Sequence, residues 1–217
     1  MDTFYRRKLP HWIPPGAVFF ITFRLARSLP VHILQQLKKE REREREALHR
    51  RLRGRQLKRE LYTLEKRFFG HFDAWLDRCL EGSPRWLADE RIARIVAEAI
   101  HQLDGERYTL IAYCIMPNHV HLLIDTVGYT IEPGHRGATS SYPLTDTLKR
   151  LKGRTAHHCN QALGRRGAFW QHESYDHVVR NAEECERIVA YILNNPVKAG
   201  LVSEWEDWPF SWLVGRN

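Results

Sequence analysis

A chain of 217 residues can bury one substantial core and needs no second domain to do so. Its 34 Lys and Arg against 26 Asp and Glu give a net charge of +8 which, with seven Trp and eight Tyr, favours an acidic partner such as nucleic acid. Cys79, Cys114, Cys159 and Cys185 are far apart and form no C-x-x-C pair, which argues against a zinc knuckle and a secreted disulfide framework. The N-terminus lacks the apolar core of a signal peptide, and no run is long enough to span a bilayer, so a soluble, cytoplasmic protein is expected.

Pro10, Pro14 and Pro15 keep the first residues extended, and 17–25 is rich enough in aromatic and β-branched residues to be the first core strand. From 30 to about 80 the pattern is helical and divides near Gly54. Leu34 and Leu37 begin an apolar stripe, which lapses over 38–46 and returns as Leu57, Leu61, Leu64, Phe68, Phe72 and Trp75. The Arg-Glu alternation of 41–46 pairs opposite charges on one helix, a solvated arm that nearly neutralises itself. The segment 50–58 carries bases beyond any nearby acid and suits a phosphate backbone better.

Gly82-Ser83-Pro84 interrupts the helices, and 88–103 resumes one, with Ile92, Ile95, Val96 and Ile100 spaced for burial. Residues 108–116 and 119–124 read as two strands joined by Pro117-Asn118 into an antiparallel hairpin. Residues 127–142 read as a mobile surface loop. Pro143 opens a helix whose stripe is Leu144, Leu148, Leu151 and Thr155. Its other surfaces carry Lys149, Arg150, Lys152 and Arg154, four bases in six residues with no acid among them, a pattern that suits phosphates. A short strand over 175–180 and a last helix from 182 to 193, stopped by Pro196, complete the chain. The order predicts an α+β fold, a βαββαβ sandwich of the ferredoxin-like kind, in which helices cover one face of an antiparallel sheet and leave the other open to bind a strand.

Two stretches carry chemistry. In the strand Pro117-Asn118-His119-Val120-His121-Leu122-Leu123-Ile124 side chains alternate faces, so His119 and His121 are neighbours about 7 Å apart and can converge on one divalent cation. A His-x-His pair can equally be two polar residues on the less buried face of an edge strand. In the last helix Ile188, Val189, Ile192 and Leu193 form the apolar stripe, which leaves Tyr191 off it with Asn195 one turn further on the same face. A phenol beside an amide and a metal-binding pair could attack phosphorus. The plainer alternative is a half-exposed tyrosine before an Asn-Asn-Pro helix stop.

With these motifs in order, the sequence resembles the REP-associated tyrosine transposases, a branch of the single-tyrosine HUH endonucleases. The resemblance rests on Met116-Pro117-Asn118-His119-Val120-His121-Leu122-Leu123 and on 191–202, beginning Tyr191-Ile192-Leu193-Asn194-Asn195-Pro196. Phe169-Trp170-Gln171 and Tyr175-Asp176-His177-Val178-Val179-Arg180, between them, add to it. It covers nearly the whole chain except the charged arm of about 38–80, which has no counterpart in the shortest relatives. It implies one HUH transposase-like domain over 1–217 with a helical insertion at about 30–80, a divalent metal, and cleavage of single-stranded DNA through a 5′-phosphotyrosine that leaves a free 3′-OH. By the same resemblance His119 and His121 match the metal pair, Tyr191 the nucleophile, and Asn195 a position where relatives carry another polar ligand, commonly Gln, so the implied metal set is His119, His121 and Asn195.

The reading that follows is a cytoplasmic, nucleoid-associated endonuclease and strand transferase, monomeric or homodimeric, acting on single-stranded or hairpin DNA with Mg²⁺ or Mn²⁺. Lys149, Arg150, Lys152 and Arg154 would grip the backbone, while the open sheet face and Trp170 stack bases. Tyr175 is a second candidate nucleophile, less favoured because a strand tyrosine has no partner ligand at helical spacing. A non-cleaving nucleic-acid-binding protein of the same fold is the main rival. A zinc hydrolase is weaker, because no acid stands at the spacing of a His-Glu-x-x-His helix.

Overall fold

The structure, a computed structural model, describes residues 4–6, 10–12, 16–79, 82–129 and 143–216. Most of the surface loop expected over 127–142 therefore lies outside the described residues. In chain order the elements are β1 (Phe4–Arg6), β2 (Pro10–Trp12), β3 (Val18–Arg24), α1 (Val31–Arg51), α2 (Gly54–Arg78), α3 (Glu90–Leu103), β4 (Thr109–Ile115), β5 (His119–Asp125), α4 (Pro143–Ala162), β6 (Tyr175–Val178), α5 (Ala182–Lys198) and β7 (Ser211–Leu213). Among the described residues β1 and β2 pair only with each other. The remaining strands form an antiparallel sheet in the order β6-β3-β5-β4-β7. Without β7 this is the ferredoxin-like order, with two strands that enclose a helix separated by a third. β7 was not foreseen, since three residues are too short to show a period; it lies along β4 with Trp212 stacked on Tyr113.

Alternation along the strands builds two cores. Phe19, Ile21 and Phe23 of β3 and Val120, Leu122 and Ile124 of β5 point to one face. There they meet Ile92, Val96 and Ile100 of α3 and Leu144, Leu151 and Cys159 of α4, each side chain of Leu or Ile size contributing about 1.5–3 kcal/mol by leaving water. Asp89 starts α3 by accepting a 3.0 Å hydrogen bond from the Arg91 amide.

The other face is covered, contrary to the expectation of an open one. Phe20, Ala112, Cys114, Met116 and Leu123 present an apolar surface there, and α5 packs on it with Ile192 while α2 supplies Phe69. An apolar face of that extent requires a cover, and the charged arm, assumed to stand off in solvent, provides part of it. Gly54, at φ +58°, opens α2 after Leu52 and Arg53 have broken the helix, as expected from the sequence.

Two of the arm's ion pairs run between its helices: Arg41 lies 3.5 Å from Glu65, and Arg67 pairs with Glu44. Arg41 is accordingly buried, where the pattern of 41–46 had suggested a solvated face. α5 also departs from expectation by running through Pro196 to Lys198. The missing proline N–H costs one hydrogen bond, but the Ala199 amide on Asn195 O and the Leu201 amide on Pro196 O, each at 2.9 Å, hold the final turn. Among the described residues no helix is long and apolar enough to cross a membrane.

Candidate active site

The turn between β4 and β5 is fixed from below. The Asn118 side-chain amide donates to Leu76 O at 2.8 Å, which leaves its oxygen to accept from His119 Nδ1 at 2.6 Å. On the neighbouring strand Thr22 Oγ1 lies 2.8 Å from His121 Nδ1. With both Nδ1 atoms engaged, the two Nε2 atoms face each other at 3.0 Å. Both rings are fully buried and β5 is the central strand of the sheet, so the reading of the pair as polar residues on the less buried face of an edge strand does not hold.

The third member comes from the arm. Asp73, on the buried side of α2 with Leu64, Phe69 and Leu76, places Oδ1 3.3 Å from His121 Nε2 and 3.8 Å from His119 Nε2. Its Oδ2 accepts the hydroxyl of Tyr191 and lies 3.6 Å from Lys198 Nζ. Ligand atoms of Asp73, His119 and His121 lie within 4.8 Å of one another, the geometry of a three-residue metal site. Asp73 Oδ1 is buried with no hydrogen-bond donor, and two imidazole nitrogens crowd beside it. A divalent cation would satisfy all three, and a carboxylate with two imidazoles suits Mn²⁺ or another first-row ion as well as Mg²⁺.

The electrostatics agree with that assignment. Burial disfavours the Asp73 carboxylate, but the neighbouring His121, with His119 and the Tyr191 hydrogen bond, outweighs it and holds the carboxyl well below its usual range, so that it is ionised. Burial, followed by the charge of the neighbouring imidazole, pushes His119 down to about 3, which leaves it neutral and able to ligate at pH 7. Tyr191 is raised by burial and by the Asp73 charge beside it, so its phenol stays protonated. Asp77, also raised by burial and by Asp73, shares Lys198 at 3.2 Å.

Of the residues singled out in the sequence, Tyr191, His119 and His121 come together; the Tyr191 and His121 rings are 5.5 Å apart. Asn195 is buried at the same place, its amide donating to Tyr191 O at 3.0 Å and its Oδ1 left without a partner. Tyr175 is stacked on Phe69 with ring centroids 4.2 Å apart, while the Asp73 carboxylate is bonded to Tyr191. Trp170 lies in the core, edge-on to Phe23 and Phe169, with Nε1 donating to Thr155; it presents no free face to a base. The basic helix is less free than its sequence implied. Arg150 pairs with Glu106 at 2.5 Å, Lys149 stands 3.9 Å from Asp146, and Lys152 ties down the Gln171 and His172 carbonyls and Ser174.

With the site in view, the stretch 85–195 matches the family model described as "Transposase IS200 like", about half of the chain. The chain belongs to that family. The match runs from α3 to Asn195 and so contains His119, His121 and Tyr191 but not Asp73. Among curated proteins the chain is similar to the REP-associated tyrosine transposase of Escherichia coli, 28% identical over 119 residues, covering 54% of this chain and 62% of that protein. A protein of Haemophilus influenzae, provisionally named a REP-associated tyrosine transposase, is 29% identical over 108 residues, covering 48% of this chain and 58% of its own length. The chain thus spans about three-fifths of these relatives. A solved REP-associated tyrosine transposase bound to a REP hairpin superposes with a TM-score of 0.53 at 19% identity, covering 95% of this chain and 80% of that one, and shares the fold.

Proposed function

We propose that the protein is a metal-dependent single-stranded DNA endonuclease and strand transferase that acts on hairpin DNA through Tyr191, with α1 and α2 as an insertion in a single HUH-type domain. The observation that carries this is the Tyr191 hydroxyl hydrogen-bonded to one oxygen of Asp73 while the other faces both histidine Nε2 atoms. His119, His121 and Asp73 would hold Mg²⁺ or Mn²⁺, and Asn195 Oδ1, unpartnered beside them, is available to it or to substrate. When bound, the ion neutralises charge on the scissile phosphate, which makes phosphorus open to a weak nucleophile.

In the cleavage step the Tyr191 oxygen forms a bond to phosphorus, the bond from phosphorus to the 3′-oxygen breaks, and the 3′-oxygen leaves as a hydroxyl after taking a proton from solvent. Asp73 Oδ2 accepts the phenolic proton along the existing hydrogen bond. Lys198 lies close enough to the carboxylate to steady the charge that moves through it. The product is a 5′-phosphotyrosine, and attack on it by another 3′-hydroxyl reverses the chemistry and joins strands. α2 lies against the histidine face, with Asp73 and Phe69 over it.

The test is a covalent trap. Incubation with Mn²⁺ and a labelled single-stranded hairpin, then denaturation, should leave DNA attached to a tryptic peptide containing Tyr191. Tyr191→Phe should bind DNA and trap none. An adduct on Tyr175 would move the nucleophile, and cleavage by both Tyr→Phe variants would make water the attacking group; the absence of cleavage by the wild type under all divalent ions would leave a binding protein.

A further inference from the structure

A second feature of the arm has no part in that chemistry. Between α1, α2 and the β3–β6 side of the sheet lies a cleft lined by Thr22, Arg24, Lys38, Arg41, Phe68 and Phe72, among others. Arg41 is 6% exposed; its guanidinium sits over the Phe68 ring at 4.6 Å, and its Nε is buried with no hydrogen-bond partner. Arg24 is 5% exposed, lies over Phe72 at 5.8 Å, and spends one N–H on Ser28 Oγ at 3.1 Å. Burial lowers its pKa to about 10, against a raising contribution from Glu173, and that still leaves it charged at neutral pH. Lys38 pairs with Glu173 at 3.0 Å and Arg41 with Glu65 at 3.5 Å. Among the described residues, three cations therefore face two carboxylates.

An arginine serving only to pack the arm would have its donors satisfied, because a buried guanidinium with a vacant N–H carries an uncompensated desolvation cost. The excess of one positive charge and the vacant N–H together suit a singly charged oxyanion. Thr22 sets its identity by position, since this cleft residue is hydrogen-bonded to His121. The cleft therefore adjoins the histidine site through Thr22.

We propose that Arg24, Lys38 and Arg41 bind a backbone phosphodiester of single-stranded DNA neighbouring the one that is cut, so that the inserted arm is part of the substrate-binding surface. This rests on the function proposed above. A planar guanidinium pre-set on an aromatic ring is suited to chelating two phosphate oxygens, and an arginine held there recognises backbone rather than base sequence.

The probe is a fluorescent 20-nucleotide single strand of random sequence, titrated against the full chain in EDTA so that no cleavage intervenes. Arg41→Gln should bind about five- to tenfold more weakly at 150 mM salt. The slope of log affinity against log salt should fall in magnitude by about 0.7, the value for one lost single-strand phosphate contact. Arg41→Lys should restore the slope, because the charge remains, but only part of the affinity, because the planar fork is lost. Arg43→Gln, at an exposed position in the self-neutralising run of the same arm, should change neither quantity. Wild-type affinity and slope in Arg41→Gln would overturn the proposal, as would an equal loss in Arg43→Gln, which would mean diffuse charge rather than a site. Should Arg41→Gln lower the melting temperature, Lys38→Gln at the cleft's more open side carries the same test, and an unchanged slope there refutes it. An active wild type with an indifferent Arg41→Gln sinks the cleft alone; an inactive wild type whose binding still depends on Arg41 sinks the nuclease alone.

Discussion

Replacing Asp73 by Asn should separate the metal site from the fold that surrounds it. Asparagine keeps the shape of the side chain and an oxygen able to accept from Tyr191, so the metal-free protein should lose about 1 kcal/mol or less; the variant also sheds a buried charge whose desolvation opposed folding. Metal binding should respond quite differently. At an effective dielectric of about 20 a carboxylate about 4 Å from a dication is worth up to about 8 kcal/mol, twice the value for two unit charges. The amide dipole and water on the freed ion return most of that. A residual loss of about 2.7 kcal/mol still raises the Kd for Mn²⁺ about a hundredfold. Calorimetric titration of Mn²⁺ into both proteins reads this directly. In a thermal melt, ion at a hundred times the wild-type Kd should stabilise the wild type by about 2.7 kcal/mol, or about 5–10 °C for a chain of this size, and the variant by less than about 1 kcal/mol. Wild-type affinity in Asp73→Asn would remove Asp73 from the ligand set and return that place to Asn195, as the sequence alone had suggested.

Three further outcomes follow from the geometry. Glu184 is buried at the start of α5 between Tyr62, Lys66 and His177; burial opposes its charge, but its partners bring it from 4.5 to about 2, so it stabilises the fold by up to about 3 kcal/mol above pH 4.5 and loses that as pH falls toward 2. Glu184→Gln should therefore cost about 2 kcal/mol in urea at pH 7 and converge with the wild type near pH 2. His119 is depressed in the folded chain, so acid loads protons onto the unfolded state first: metal-free wild type should lose about 2 kcal/mol between pH 6.5 and 5, and His119→Asn should show a flatter profile over that window. Lys152→Gln should cost about 1–3 kcal/mol because Lys152 Nζ holds two carbonyls and a hydroxyl, whereas Lys149→Gln should leave the melting temperature unchanged and reduce the salt slope of DNA binding by up to about 0.7; equal effects of the two in melting would contradict this division.

The strands, the hairpin and the histidine pair were legible in the sequence because their signals are local. Alternation over seven residues fixes which face His119 and His121 share, and i, i+4 spacing puts Tyr191 beside Asn195. What the sequence hid depends on which surface a helix meets. The apolar stripe of α2 was drawn from Leu64 through Phe68, Phe72 and Trp75, but after Leu64 the residues that became buried are Phe69, Asp73 and Leu76, one position round the helix. On that register an acid stands in the middle of an apolar stripe, and a buried acid requires a partner. This was the available sign of Asp73, obscured by the charge-rich run before it, which made the arm look solvated throughout.

The same reasoning explains why the basic helix misled. Counting acids within Lys149–Arg154 finds none, yet Glu106, the partner of Arg150, is more than forty residues away in sequence and arrives only when α3 and α4 pack together. Charge excess along a helix predicts a phosphate surface only after tertiary partners are subtracted. By that measure the unspent cationic capacity moves from Arg150 and Lys152 to Arg41, buried with its Nε unpartnered, and Arg24 is buried beside it in the same cleft. One is a residue of the arm that the family match leaves out, and the other belongs to the strand paired with the histidine strand. A charge that folding buries and leaves incompletely satisfied is a stronger pointer to a ligand than one on the surface, because only the former costs stability while it waits.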